Sequence, residues 1–467
     1  MSTLYPILLL CAYSPLPLLP PLLPSQLLCR DANKARDFTL EPGTRVTTDP
    51  NVILDDPEID VIVEVIGGTG SPARELVLGA ASRGKHVVTA NKALLAEALL
   101  DVRKSFSSRR QLGYEAAVAG GVPIIRAMQE SLLPDSITRV AGIMNGTTNY
   151  IMTAMAAEGR SYTDALKGAQ AAGFAEADPT ADVEGLDARN KLVLLTQLAF
   201  GVYVPPARVR TTGITGVTAF DVTSAASAGF AVKLLGVSEL FDATAATTAV
   251  VEGETKVEVE AEVSSSTPSS AVSATGKPAL RKRLLDVFIS PALVPLRSSL
   301  GETGGAGNIV LVDSESLGTS TFAGAGAGRY PTALSVVADL MAIARGTNSK
   351  RAFPRPPPAK VGLSIKPSDS FERNFYVRAP AALADLLSVA LWRQGRFITP
   401  CGGTGAPGGK DEGVKAFLVD ASARELASLI KRAAKKIVGN GDDADAAAIL
   451  LSKQVALYPV IGAVKNV

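Results

Sequence analysis

The chain has 467 residues, of which 47% are hydrophobic and 20% are charged. This length and composition indicate about three globular domains with real cores and exclude a disordered chain. The 47 basic and 45 acidic residues give a formal net charge of +2. Because no basic excess is present to neutralise phosphates, nucleic acid is not an expected partner.

Cysteine and histidine are scarce enough to exclude whole classes of site. Cys11, Cys29 and Cys401 lie far apart and form no CxxC pair, which argues against a disulfide framework and a thiolate metal site, and fits a reducing compartment. His86 is the only histidine, so a multi-histidine metal centre is excluded, and its place at the start of an apolar run indicates a structural role. The chemistry must therefore come from lysine, carboxylates and the backbone.

The first 28 residues are apolar but contain six prolines, which would break a membrane-spanning helix, and they lack the positive charge that begins a secretory signal. We expect an extension that is neither a signal peptide nor a membrane span. Two explanations of this extension stay open: it is an organelle leader, or the start of the gene is misassigned. We expect a soluble protein that stays in the cytoplasm or in an organellar (plastid) matrix and is not secreted.

From about Asp56 the pattern becomes regular. DVIVEVIGG is a buried strand, ARELVLGAASRG is a helix that Gly84 closes, and HVVTANK is a second buried strand. Strand, helix and strand in this order form a βαβ unit of a parallel sheet, whose ligands bind at the carboxyl ends of the strands. Thr69 and Lys92 should therefore face one crevice.

The remaining chain divides into three parts. Residues 113–322 mix helical patterns with short strands, and within them 240–280 predict a strand pair followed by a flexible loop. A glycine-rich turn near 323 leads into an apolar helix, and a proline-rich linker follows at 350–369. Residues 370–467 give two strand-then-helix units of a small α+β module.

The acidic stretch GFAEADPTADVEGLDARNK, residues 173–191, holds five carboxylates and ends in Lys191. By itself such a charge run is most simply a solvated loop. Asp187 lies four residues before Lys191, however, so a helix would place both on one face.

Four segments together resemble homoserine dehydrogenase, in order and at matching spacings. They are EVIGGTG (64–70) with HVVTANKALLAE (86–97), YEAAVAGGVPIIRAMQESL (114–132), GIMNGTTNYIM (142–152) and GFAEADPTADVEGLDARNKLVLL (173–195). The resemblance covers roughly residues 29–345. It implies an α/β fold with an incomplete Rossmann-type nucleotide-binding domain (29–115, completed by about 323–349), an α+β catalytic and dimerisation domain (116–322) and a small ACT-like tail (370–467).

The resemblance implies NAD(P)-dependent interconversion of L-aspartate 4-semialdehyde and L-homoserine in threonine, methionine and isoleucine biosynthesis. Lys191 matches the proton donor, and Asp187 would orient it. The substrate-binding residues would be Glu176, Asp182, Lys191 and Thr147, with Glu176 receiving the substrate ammonium group. A homodimer is expected.

The same resemblance implies sites for NADP or NAD and for a monovalent cation such as sodium. The cofactor-binding residues would be Arg30, Ile66, Gly67, Gly68, Thr69, Lys92 and Gly326. Arg30 would favour NADP through the 2′-phosphate. The cation would be held by Glu115 and by backbone carbonyls near Val118, Gly120 and Val122.

One departure from the family pattern is large. Residues 1–28 contain no GxGxxG turn, so we expect weaker cofactor binding than in a chain that carries one. This leaves two rival functions open: a non-catalytic relative that binds or regulates through the substrate pocket, and an amino-acid sensor built around the tail. In the tail, the glycine-rich insert 401–413 should replace a hairpin, which predicts weak or absent threonine inhibition.

Overall fold

The structure is a computed structural model. It describes residues 24–106, 110–242, 283–347, 363–365, 372–394, 396, 398–401, 414–438, 451 and 454–461. Most of the predicted N-terminal extension and nearly all of the low-complexity stretch at 240–280 lie outside the described residues. Among the described residues, no helix is long and apolar enough to cross a membrane.

The N-terminal domain contains two small parallel sheets. One pairs β1 (Gln26–Leu28) with β2 (Arg45–Thr47), and the other has the order β3 (Val61–Glu64), β4 (His86–Thr89) and β5 (Leu112–Gly113). The helices are α1 (Pro50–Leu54), α2 (Ala73–Ser82), α3 (Lys92–Glu97) and α4 (Leu99–Ser105). The predicted βαβ unit is confirmed as β3, α2 and β4, whose strands are parallel.

The two parallel sheets are not joined by a strand anywhere in the described part of the chain. β1 consists of the last residues of the predicted extension, so that segment contributes a strand to the N-terminal domain. Leu27 is buried there and holds β1 onto the core.

The central domain is built on a seven-stranded mixed sheet. Its order is β11 (Gly318–Ala325), β10 (Gly307–Ser314), β6 (Ile137–Ile143), β8 (Phe230–Asp242), β9 (Arg283–Pro295) and β12 (Leu363–Ile365), with β7 (Arg210–Thr211) also paired to β9. β9 is buried along nearly its whole length, so both of its faces are covered, which explains its almost continuous apolar sequence. β12 lies inside the predicted linker, so that segment adds an edge strand as well as connecting two domains.

Helices cover this sheet and connect it to the N-terminal domain. They are α5 (Ile124–Arg126), which continues into a π turn (Ala127–Ser131), α6 (Gly146–Glu158), α7 (Tyr162–Ala171), α8 (Thr180–Val183), α9 (Leu186–Phe200), α10 (Ala219–Ser227), α11 (Ser299–Glu302) and α12 (Arg329–Ala344), with 3-10 turns at Glu115–Ala117 and Pro206–Arg208. α9 packs on β6, β8 and β9. α12 follows the glycine-rich turn, as predicted, and returns to pack against β4.

The C-terminal module is a four-stranded antiparallel sheet with two helices. Along the chain it runs β13 (Glu372–Pro380), α13 (Ala381–Arg393), β14 (Ile398–Cys401), β15 (Val414–Ser422), α14 (Ala423–Val438) and β16 (Ala456–Pro459). The sheet order β14, β15, β13 and β16 is that of a ferredoxin-like βαββαβ unit, and the two predicted strand-then-helix units are present.

One prediction for this module is wrong. β14 and β15 form an antiparallel pair on either side of the glycine-rich insert, so the insert connects a hairpin and does not replace it. Alternating burial along β15 explains the outcome, because Phe417 and Val419 need a neighbouring strand and helices to cover them. The expectation of weak threonine inhibition therefore loses its basis.

Candidate active site

Several residues that the sequence singled out lie close together at the beginnings of α6, α8 and α9. Asn145 is the N-cap of α6, and its side-chain oxygen accepts a hydrogen bond from the Thr148 N–H. Its side-chain nitrogen donates to Asp182 Oδ1 (2.7 Å) and Asp187 Oδ2 (3.0 Å). The cap of one helix thus holds the carboxylates of α8 and α9.

Asp187 is the centre of this cluster. Lys191, one turn later on α9, donates to Asp187 Oδ2 at 2.6 Å and to the Met144 carbonyl at 2.7 Å. Lys92, the first residue of α3 in the N-terminal domain, places its Nζ 2.9 Å from Asp187 Oδ1. The structure therefore brings Lys92, Asp187 and Lys191 together, with Asp182 beside them.

The electrostatics of this cluster suit proton transfer. Burial by itself raises the pKa of Asp187, but the two nearby ammonium groups outweigh burial and hold that pKa below its usual range. Burial lowers the pKa of Lys191, although Asp187 opposes the shift. A lysine whose pKa is lowered in this way gives up and regains a proton more readily near neutral pH than an exposed lysine.

The other carboxylates of the acidic stretch have different places. Asp178 accepts hydrogen bonds from the Thr180 N–H and hydroxyl, and Glu184 accepts one from the Thr215 hydroxyl. Glu176 is exposed in the loop between α7 and α8, where its carboxylate has no hydrogen bond or ion pair within the described residues. Only Asp182 and Asp187 lie in the polar cluster.

Thr147 connects that exposed loop to the cluster. It is buried in the first turn of α6, and its hydroxyl donates to the Phe174 carbonyl at 2.6 Å. Burial raises the pKa of Asp182, while hydrogen bonds from Asn145 and Thr147 oppose that shift. Thr147 therefore lies between Asp182 and the segment that carries Glu176.

The predicted cofactor loop, residues 66–69, follows β3, and the Glu64 carboxylate fixes its first residues by hydrogen bonds. This carboxylate is only 1% exposed and accepts hydrogen bonds from the N–H groups of Ile66 (2.8 Å) and Gly67 (3.1 Å) and from the Thr89 hydroxyl (2.6 Å). Gly67 and Gly68 have φ values of 84° and 80°, and a Cβ on either would meet nothing within 4 Å. The outer side of the loop is therefore open, which fits a ligand such as a dinucleotide.

Gly326 lies in the glycine-rich turn and is packed too tightly for any side chain. A Cβ there would lie 2.0 Å from Cγ of Asn308, a residue only 1% exposed. The Gly326 carbonyl in turn lies against Gly120. Arg30 is exposed and lies two residues after the end of β1.

The predicted cation site is a buried turn around Glu115. Its carboxylate accepts the N–H groups of Ile125 (2.9 Å) and Arg126 (2.8 Å), and burial raises its pKa to about 7. Ala119 and Gly120 both adopt positive φ, at 52° and 49°, a conformation that is uncommon for alanine.

The carbonyls of this turn already have donors. The Gly120 carbonyl accepts a hydrogen bond from the Ser335 hydroxyl at 2.7 Å, and the Val122 carbonyl accepts the Ile124 N–H at 2.8 Å. Each carbonyl oxygen has two lone pairs, so both can still face a cation. The buried Glu115 carboxylate, which lacks a full counter-charge, also suits a cation. The monovalent cation stays a prediction.

Comparison with known proteins decides the family. Residues 23–110 match the profile of the homoserine dehydrogenase NAD-binding domain, and residues 123–341 match that of homoserine dehydrogenase. The chain is 36% identical to homoserine dehydrogenase from Pseudomonas aeruginosa over 348 residues, which cover 73% of this chain and 70% of the relative. It belongs to the homoserine dehydrogenase family.

Further relatives agree with this family membership. Homoserine dehydrogenase from Mycobacterium bovis is 40% identical over 345 residues, covering 71% of this chain and 70% of the relative. The crystal structure of a homoserine dehydrogenase from Thiobacillus denitrificans superposes with a TM-score of 0.72 at 31% identity, covering 94% of this chain and 90% of that one. The predicted α/β fold with a Rossmann-like NAD-binding domain is thereby confirmed.

Three residues of the site were missed by the sequence reasoning. They are Glu64, Asn145 and Asn308. Asn145 had a usable signal, because an asparagine directly before a helical run is a typical N-cap. Glu64 had a weaker sequence signal, since a carboxylate at the end of an otherwise apolar strand needs a buried partner. Asn308 had no local signal, because its surroundings come from a different strand.

Proposed function

We propose that the chain is an NAD(P)-dependent homoserine dehydrogenase that interconverts L-homoserine and L-aspartate 4-semialdehyde. The observation that carries this proposal is the buried Lys191 held by Asp187 at the edge of the NAD-binding domain. The family membership supports catalysis over the rival non-catalytic binding module, and this cluster supplies the groups that catalysis requires.

Oxidation of homoserine removes a hydride from the carbon and a proton from the oxygen of one C–O bond, and reduction of the aldehyde returns both. The nicotinamide cofactor, when bound, supplies hydride acceptance or donation. In the oxidative direction neutral Lys191 accepts the hydroxyl proton of homoserine, and in the reductive direction charged Lys191 returns it to the aldehyde oxygen. Two of its N–H groups bond to Asp187 and Met144 in the described part of the chain, which leaves the third for the substrate oxygen.

Asp187 stays ionised throughout this cycle and fixes the lysine. Its second oxygen binds Lys92, and Asn145 holds it from the side of α6. Because this side chain is nearly buried, the ion pairs act in a medium of low effective dielectric and resist displacement by water. Asp182 completes the polar wall that we assign to the substrate.

Replacing Lys191 with alanine should lower kcat for homoserine oxidation by roughly 10² to 10⁴, because the proton acceptor is lost. Asp187→Asn should cause a smaller loss, since the lysine remains but is no longer fixed by an ion pair. Steady-state kinetics with NADP measure both. The matched control is Lys167→Ala, which removes an exposed lysine of α7 and should leave kcat unchanged. Near-normal turnover of a folded Lys191→Ala protein would contradict the assignment.

Glu176→Gln should raise KM for homoserine with little change in kcat, because the uncharged amide binds the substrate ammonium group less well. Its exposure and lack of a protein partner among the described residues make a stability effect small. KM values at fixed cofactor concentration measure the effect, and Glu130→Gln on an exposed turn serves as the control. An unchanged KM for homoserine would remove Glu176 from the substrate site.

For the cofactor we propose NADP, with Arg30 facing the 2′-phosphate and the open loop 66–69 facing the dinucleotide. Gly326 and Lys92 are assigned to the nicotinamide end. Arg30 is exposed two residues after the end of β1, so it is accessible to an anionic group.

Arg30→Ala should therefore weaken NADP binding more than NAD binding. The ratio of the two KM values measures this preference directly. Lys34→Ala, which removes an exposed cation from the same loop, is the control for a general loss of positive charge. An equal change in KM for both cofactors would show that Arg30 does not bind the 2′-phosphate.

We further propose that a monovalent cation such as sodium binds beside Glu115, with carbonyls near Val118, Gly120 and Val122 as its other ligands. The support is chemical. The Glu115 carboxylate is buried, its pKa is raised to about 7 by desolvation, and two adjacent residues are held at positive φ. A nearby cation would favour the ionised form.

This proposal predicts a sodium-dependent pH profile of stability. The unfolded state ionises Glu115 near its ordinary pKa of 4.5, while the folded state keeps the proton until about 7, so the free energy of unfolding should fall as pH rises between these values. Sodium should reduce that fall, compared with choline at equal ionic strength. Urea titrations from pH 5 to 8 measure it, and Glu115→Gln should abolish the sodium effect. Identical profiles in both salts would contradict the site.

A homodimer remains our proposal for the assembly, following the family resemblance. Sedimentation equilibrium of the purified chain measures it, and a mass of one chain at micromolar concentration would contradict it.

A further inference from the structure

The C-terminal module contacts a short segment of the central domain, residues 212–218, through polar groups. We call this segment the relay loop. Tyr458 and Arg378 of the module donate hydrogen bonds to the carbonyl of Gly216, at 3.3 and 3.4 Å. Arg378 also donates to the Thr218 hydroxyl at 2.8 Å. The relay loop is thus held at its C-terminal end by the module.

A buried ion pair fixes this contact. Asp221 is fully buried and forms a capping box with Thr218 at the start of α10. Arg378 lies 3.0 Å from Asp221 Oδ2, and the Tyr376 hydroxyl donates to Oδ1 at 3.1 Å. Because Asp221 is buried, it needs a positive partner, and that partner comes from the module.

The other end of the relay loop touches the substrate side of the enzyme. The Ile214 N–H donates to the Val183 carbonyl at 2.8 Å, and a Cβ on Gly213 would lie 2.3 Å from that same oxygen. Val183 is the last residue of α8 and directly follows Asp182. The backbone that carries Asp182 therefore packs on the relay loop without intervening side chains.

We propose that Arg378 is a positioning residue: through the relay loop, the C-terminal module sets the place of Asp182 in the substrate site. The contacts are continuous from Arg378 to Gly216 and Thr218, from Ile214 to Val183, and from Asp182 to Asn145. Packed groups and hydrogen bonds of this kind carry coupling between distant residues. The close approach at Gly213 means that the relay loop cannot shift without moving Val183. This inference rests on the proposed homoserine dehydrogenase function.

The test compares variants of the full chain. Arg378→Met should raise KM for homoserine between about 2-fold and 30-fold, the usual range for coupling through a contact network, with kcat and KM for NADP within about 2-fold of the parent. Arg378→Lys keeps the charge beside Asp221 and should restore part of the affinity. Lys415→Met removes an exposed ion pair with Asp385 on the same module and should change neither constant.

A second variant covers the case in which Arg378→Met does not fold. Tyr458→Phe keeps the ring that stacks on Tyr376 and removes only the hydroxyl that donates to Gly216. It should raise KM for homoserine in the same direction and to a smaller extent. An unchanged KM for homoserine in folded Arg378→Met, or in Tyr458→Phe if the former is insoluble, overturns the proposal, as does an equal rise of both KM values.

Amide hydrogen exchange separates this inference from the proposed function. Exchange at Ile214 should become faster in Arg378→Met and Tyr458→Phe and stay unchanged in Lys415→Met, whatever the substrate is. If the parent chain does not oxidise homoserine, the proposed function fails while this measurement still tests the relay loop. Unaltered exchange at Ile214 in both module variants overturns the coupling.

Discussion

A single carboxylate, that of Asp187, joins the residues of the candidate active site. It binds Lys191 and Asn145 through one oxygen and Lys92 through the other. These partners belong to α9, the cap of α6 and the NAD-binding domain. A nearly buried anion between two ammonium groups compensates the desolvation of all three charges, so removing it would deprive both cations of the carboxylate that they contact directly. The arrangement of both domains at the site depends on this shared contact.

Buried carboxylates also hold separate elements together elsewhere in the molecule. Glu64 shapes the loop after β3, Glu115 holds the first turn of α5, and Asp221 fixes the C-terminal module. A carboxylate has two oxygens that accept several hydrogen bonds from different directions, whereas a backbone carbonyl has a single oxygen whose position is set by the chain. Side chains of this type therefore join elements that secondary structure alone leaves separate.

Regular elements were largely predictable from the sequence, because burial imposes a local period on the residues. The βαβ unit of β3, α2 and β4 and the two units of the C-terminal module follow from such patterns. The hairpin of β14 and β15 was missed because the glycine-rich insert between them hides the pairing. The strand within the proline-rich linker was missed because its partner, β9, is distant in the chain.

What the sequence by itself determined about the site is the pair of Asp187 and Lys191, since four residues of helix bring two side chains to one face. The motifs around that pair also determined the family. Only the tertiary structure decided that Lys92 shares Asp187, that Asn145 reaches Asp182 and that Arg378 binds Asp221. These contacts join residues on separate elements, whose distance is set by how helices and sheets pack and leaves no period in the sequence.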